Sequence, residues 1–374
     1  MRYFLTRIAT VILCCLALKG QAFGATAIGH VSVDRASFNP TAGEAVVLTI
    51  AFLRPGRASV AVVDRDGFLV RRLATEQPVS GSASFKWDGR DVHSVPVADE
   101  AYSFRIEWRG HGAQEIWFPA DRPSELTAID VRYFDRRSGT LAYTLPRASR
   151  VHIQAGTAII HSKQGTADGP VLKTIVNREP RVAGAIAEHW NGFDESGAVF
   201  VADLENFAVA IAAAPLPEDA VITYGNRHVR FVDEALTRTG TSLFRHNRGA
   251  GRHHGGLTTL NDVSPELTIE PIDATWSAAD KIWIVHGRVL RARLSFKGPT
   301  ATTFLRQPAR VFRFIDGQQI GQAVRGSDVV EVPLRPEGTT QRISINWQSD
   351  WGPLAANTVL VRCALPLAKV RGAR

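Results

Sequence analysis

The stretch Trp87-Asp88-Gly89-Arg90-Asp91, with a second version at Trp190-Asn191-Gly192-Phe193-Asp194, decides how this chain is read. In each, an aromatic anchor is followed at once by Asp-Gly or Asn-Gly. Those dipeptides supply the positive φ that a hairpin-type turn requires. Each follows β-type sequence and precedes an aromatic closing strand, at Tyr102 and Phe207 respectively. An anchored turn recurring about a hundred residues on marks a duplicated module.

Working outward, short runs of Val, Ile, Thr, Phe and Arg are punctuated by Gly and Pro, an all-β composition. In the first unit, strands are expected at 45–52, 58–64, 68–73, 83–87 and 101–108, with turns at Arg54-Pro55-Gly56 and Asp66-Gly67. The second unit repeats the order. Thr140 to Leu145, Arg150 to Gln154 and Val171 to Val176 lead to the Trp190 turn and then to Phe207 to Ala212. Short strands at turn spacings of about 8 to 12 residues describe an antiparallel sandwich. A third β unit follows from Ser264 to Leu365, with Asp316-Gly317 as a further hairpin but no Trp-Asp-Gly turn.

The first unit carries Asp66-Gly67, Val70-Arg71-Arg72-Leu73, Trp87-Asp88-Gly89, Asp91, Val95-Pro96-Val97 and Tyr102. This pattern resembles the immunoglobulin-like module of the FlgD type, found in the flagellar hook-capping scaffold and in many secreted bacterial proteins. The resemblance spans about 40% of the chain. Two glycines of that family's pattern are replaced near Ser94 and Glu100. The second unit keeps Gly197 but has Asn191 for Asp and Phe207 for Tyr. The resemblance implies a fold and a habit of mediating assembly, and no activity. The hook-binding segment of the flagellar protein has no recognisable counterpart here.

The fold class expected is therefore all-β: tandem immunoglobulin-like, FlgD-type antiparallel β-sandwiches in three domains. Their expected extents are 28–120, 121–214 and 264–366. Residues 215–263 form an Arg/His/Gly-rich connecting segment, in which 220–226 and 228–232 have strand-like sequence, and 367–374 form a basic tail. A chain of 374 residues suits this division, since single cores stop growing at roughly 250 to 300 residues.

Residues 1–24 read as a secretory signal peptide. Arg2 and Arg7 precede an apolar run from Ile8 to Leu18, and small residues follow, with cleavage after Gly24 or Ala27. The run is too short to span a bilayer. Leu13 before Cys14 argues against a lipobox. Cys363 is then the one cysteine of the mature chain, so the expectation is no internal disulfide and a buried strand thiol. Exported, periplasmic or cell-surface localisation follows. The formal charge of +8 falls to about +5 without Arg2, Arg7 and Lys19. That mild excess suits an anionic envelope surface and gives no support to nucleic-acid binding.

Candidate chemistry concentrates in the loop at 237–257. Arg238, Arg245, Arg248 and Arg252, with backbone N–H groups of neighbouring glycines, suit an anion or an acidic partner. His246, His253 and His254 are candidate metal ligands, opposed by those same arginines and unassisted by cysteine. An exposed polar loop without a ligand is the third reading. Gly249-Ala250-Gly251 lacks a completed nucleotide-binding motif. Asp64, Asp66, Asp88 and Asp91 fit turn roles better than the EF-hand spacing of a calcium loop. Trp87 and Trp190 read as core anchors, while an exposed pair among the other tryptophans is what a carbohydrate-binding protein needs. No nucleophile elbow, zinc-protease helix or reactive-cysteine context occurs. The expectation is a non-enzymatic scaffold without cofactor, binding a protein or an envelope or surface polymer. A carbohydrate-binding accessory and a metal-binding envelope protein are the alternatives.

Overall fold

The computed structural model describes residues 26–122, 124–157, 170–237, 263–336, 338–349 and 353–364. The signal peptide at 1–24, the arginines and histidines expected at 238–254 and the basic tail lie outside them.

The chain is an all-β series of immunoglobulin-like sandwiches. In the first, two long antiparallel strands, Val46–Val63 and Leu69–Trp87, form the framework. The turn expected at Arg54-Pro55-Gly56 is instead a bulge inside one continuous strand, where pairing jumps from Phe52↔Gly81 to Gly56↔Val79. The bulge bends the ribbon, so that Leu48, Ile50 and Phe52 on one half and Ala58, Val60 and Val62 on the other enter the same core. A β-carbon on Gly56 would lie 2.3 Å from Trp108 Nε1. Only glycine lets the bend close over that buried indole. Ile28–Val33 pairs with the first half of the ribbon, and Ala101–Gly110 with the second.

Residues 221–232 depart from expectation. Val221–Thr223 does form a strand, but it returns to the first sandwich, antiparallel to Ala101–Gly110 and parallel to Ser37–Phe38. Val221 and Ile222 bury there, and the Thr223 hydroxyl donates to Ala98 O while accepting from Glu100 N. The next stretch, read as a strand over 228–232, is a helix at Phe231–Thr237. Phe231 and Ala235 lie four apart on its buried side, a helical period that a window of five residues hides.

The second sandwich sets a four-stranded sheet (Val171–Arg181, Ser149–Thr157, Phe207–Pro215, Thr127–Ile129) over a three-stranded one (Gly184–His189, Thr140–Leu145, Val131–Asp135). Leu141, Tyr143, Leu145, Val151 and Ile153 fill its core. The third has a sheet of Glu266–Pro271, Val289–Lys297 and Val329–Pro333 facing a seven-stranded one centred on Thr340–Ser349 and Leu354–Ala364. Cys363 is buried there, and its thiol donates to Gly287 O. Among the described residues no helix is long and apolar enough to cross a membrane.

Candidate functional site

The two Trp-led turns are the same object at the level of single hydrogen bonds. Trp87 Nε1 donates to Arg90 O at 3.0 Å, and Trp190 Nε1 donates to Phe193 O at 2.9 Å. Asp88 Oδ1 accepts from Arg90 N, and Asn191 Oδ1 from Phe193 N, each at 3.1 Å. An Asx turn needs only that oxygen, which is why Asn replaces Asp without changing the backbone. Gly89 O accepts from Val97 N, and Gly192 O from Val201 N. Both glycines hold positive φ, +70° and +83°. Asp91 N donates to Val95 O as Asp194 N does to Val199 O, and each carboxylate Oδ1 receives two backbone N–H groups of its own loop.

Behind each turn an aromatic pair holds the indole: Tyr102 and Phe38 around Trp87, Phe207 and Phe134 around Trp190. Tyr102 adds a hydrogen bond to Ala98 O that Phe207 cannot make. The carboxylates of Asp64, Asp88 and Asp91 accept backbone N–H groups of their own turns. Among the described residues no group of three or more His, Cys, Asp or Glu is placed to hold a metal ion.

What differs between the turns is what covers them. On the second, Leu172, Trp190, Val199 and Val201 share one buried apolar cluster with Phe312 and Phe314 of the third sandwich. Asn346 Nδ2 donates to Asp194 Oδ2, and Gln348 Oε1 accepts from Val171 N. Pairing explains the combination: Phe312 lies directly opposite Asn346, and Arg310 opposite Gln348, so these side chains share a sheet face with Phe314. The opposite face, with Val311, Ile315, Ile343, Ile345 and Trp347, is the third core. Over the first turn, Val92 and Val95 are 58% and 52% exposed, beside a hollow of about 470 Å³.

A second cleft, of about 900 Å³, lies where the first two sandwiches meet the 222–232 segment. Glu100, 2% exposed, accepts from Arg65 of the first sandwich and Arg150 of the second. Arg178 projects from positive φ beside Arg65, and burial, then the Arg65 charge, lowers its pKa to about 10. Arg181 is held by Glu188 and Glu179, while Arg227 and Arg230 line the exposed rim. Asp99, Glu179 and Glu195 line the same cleft, so charges of both signs face it. Sequence reading misses these arginines because folding assembles them from distant segments, and no local spacing signals it.

The tryptophans outside the turns divide. Trp108 and Trp347 are buried, and Trp351 lies outside the described residues. Trp276, 48% exposed, is the cross-strand partner of half-buried Trp283, with ring centroids 5.2 Å apart.

No protein-family model matches the chain, and no curated protein matches it. Among solved structures, it is similar to the fibronectin(III)-like modules of Clostridium thermocellum CbhA, at 11% identity over 92% of this chain and 98% of that one, TM-score 0.20. It is similar also to the N-terminal four Ig domains of Dscam1, at 13% identity over 89% and 72%, TM-score 0.21. A tetra-tandem repeat from the extending region of a large adhesion protein gives 14% identity over 89% and 73%, TM-score 0.17.

Proposed function

We propose that this is an exported, non-enzymatic interaction protein in which sandwiches of the FlgD type present turn faces and loops to a protein partner in the bacterial envelope. The observation that carries the reading is the second Trp-led turn seated against the third sandwich through Phe312, Phe314 and the Asn346–Asp194 hydrogen bond. A turn face that docks one β-domain within the chain is suited to docking another outside it. Export rests on the leader at 1–24, and the FlgD-type relationship on the sequence pattern from Asp66-Gly67 through Trp87-Asp88-Gly89 to Tyr102. Domain limits near 28–120, 121–214 and 264–366 belong to the proposal, with 221–237 added to the first domain because its strand pairs there.

The test is in-cell cross-linking of the tagged full chain, followed by mass spectrometry of captured molecules and attachment points. Capture of an envelope protein through the first sandwich or the arginine-lined cleft supports the reading. Recovery of no protein partner under conditions that cross-link a known envelope complex refutes it.

The Trp276–Trp283 pair favours a second reading, a carbohydrate-binding accessory, because adjacent indoles on one sheet face offer a stacking platform for a sugar ring. Retention of glycan by the wild type and its loss in Trp276→Ala supports that reading instead.

A further inference from the structure

The register of the two repeats matches the residues of the first turn to those of the second. In the first sandwich Val63 pairs with Leu69 on one side and Ser103 on the other. In the second, Gly156 pairs with Val171 and Ala208. Val70 therefore matches Leu172, and the turn hydrogen bonds match Val95 to Val199, Val97 to Val201 and Asp91 to Asp194. Leu172, Val199 and Val201 pack in one cluster with Phe312 and Phe314, and Asp194 receives Asn346. Their counterparts Val70, Val95, Val97 and Asp91 all line the 470 Å³ hollow. Asp194 Oδ2 is the oxygen that takes the Asn346 amide, and Asp91 Oδ2 accepts no hydrogen bond among the described residues.

We propose that this hollow is a docking site for a β-domain of a separate protein whose exposed strand presents two aromatic side chains at i and i+2, with a hydrogen-bond donor beside them for Asp91. The proposal rests on the interaction reading above and names the chemistry of one partner. Asp91 and Glu234 line it, so a strand with a basic residue two positions before its first aromatic, on the same face, fits it best. The chain's own strand has that form, with Arg310 two positions before Phe312. It is already engaged on the second turn, which makes a second copy of this chain the weaker occupant.

The probe is an acetylated hexapeptide, Arg-Val-Phe-Arg-Phe-Ile, copying residues 310–315, titrated into the full-length protein with methyl resonances followed by NMR. The expected result is a saturable shift at Val70, Val95 and Val97. Binding should weaken at least about tenfold when both peptide phenylalanines are alanine, since two ring burials are lost. Val95→Asp, at an exposed position that leaves the core intact, should abolish it. Three results overturn the proposal: unshifted methyls at several millimolar peptide, equal binding of the alanine peptide, or through-space contacts in the peptide-free protein between these valines and residues 238–262. A partner captured in cells through other surfaces, with this hollow silent, removes the present inference and leaves the interaction reading standing.

Discussion

Asn346 and Asp194, 152 positions apart, meet in a hydrogen bond of 3.0 Å, with Asn346 Nδ2 donating to Asp194 Oδ2 and both residues over nine-tenths buried. The same carboxylate closes its own loop through Oδ1, so one side chain ties the second repeat's turn to the third sandwich. Asn346→Ala should cost about 1–3 kcal/mol, the usual loss when a buried acceptor gives up a partner. Asn346→Asp should cost more, because two buried carboxylates then face each other, and its deficit should shrink in acid as one takes up a proton. Urea unfolding of both variants at neutral and mildly acidic pH checks the order.

Glu100 plays the corresponding part between the first and second sandwiches, but with charge. Arg65 and Arg150 both donate to it, and half-buried Arg178 lies beside Arg65. Glu100→Gln removes the carboxylate that Arg65 and Arg150 share, and leaving buried charge uncompensated costs about 3–5 kcal/mol. The expected result is a lowered midpoint in urea, with the first sandwich unfolding separately from the remainder. Exposed pairs such as Arg230–Asp233 are screened by water and should leave the midpoint nearly unchanged, so Asp233→Asn serves as the control.

Ser94 stands where the second repeat has Gly197, and both hold left-handed backbone, φ +64° and +70°. A β-carbon in that region costs about 1–2 kcal/mol. Glycine's extra freedom in the unfolded chain takes back about 0.4–1 kcal/mol. Ser94→Gly should therefore stabilise the protein by about 0.5–1 kcal/mol, visible as a raised melting temperature. Gly197→Ser should lower it by a similar amount.

The turns were legible in sequence because their chemistry is local: an indole, an Asx oxygen and a glycine within six residues dictate nearly every bond they make. Strand identity was legible for a related reason, since alternation in Val289–Lys297 reports burial one residue at a time. The bulge at Gly56 was not, because Arg-Pro-Gly is ordinary turn sequence and only the distant Trp108 makes it a bend. The docking face of the third sandwich was hidden by having two apolar sides. Ala309–Ile315 buries Val311 inward and Phe312 and Phe314 outward, which erases the period of two. The arginine-lined cleft draws on three separated segments, and the expected ligand arginines and histidines at 238–254 lie outside the described residues.

Asp219 gives a pH dependence of opposite sign to the usual carboxylate. It is 3% exposed, with Oδ2 accepting from Phe104 N and Oδ1 without a partner among the described residues. Desolvation raises its pKa to about 6, from an ordinary value near 3.8. Between those two values the folded protein holds a proton that the unfolded chain releases. Stability from this group is therefore greatest in acid, falls as pH rises from about 4 to about 6, and stays reduced above. A shift of about two units corresponds to about 3 kcal/mol as an order of magnitude. Asp219→Asn keeps an oxygen for Phe104 N and removes the buried charge. The variant should exceed the wild type in stability at pH 7.5 by about 1–3 kcal/mol and match it near pH 4. The measurement is the difference between the two proteins in urea at each pH, which cancels the contributions the two share. A gap that stays constant from pH 4 to 7.5 would show that Asp219 does not titrate in that window.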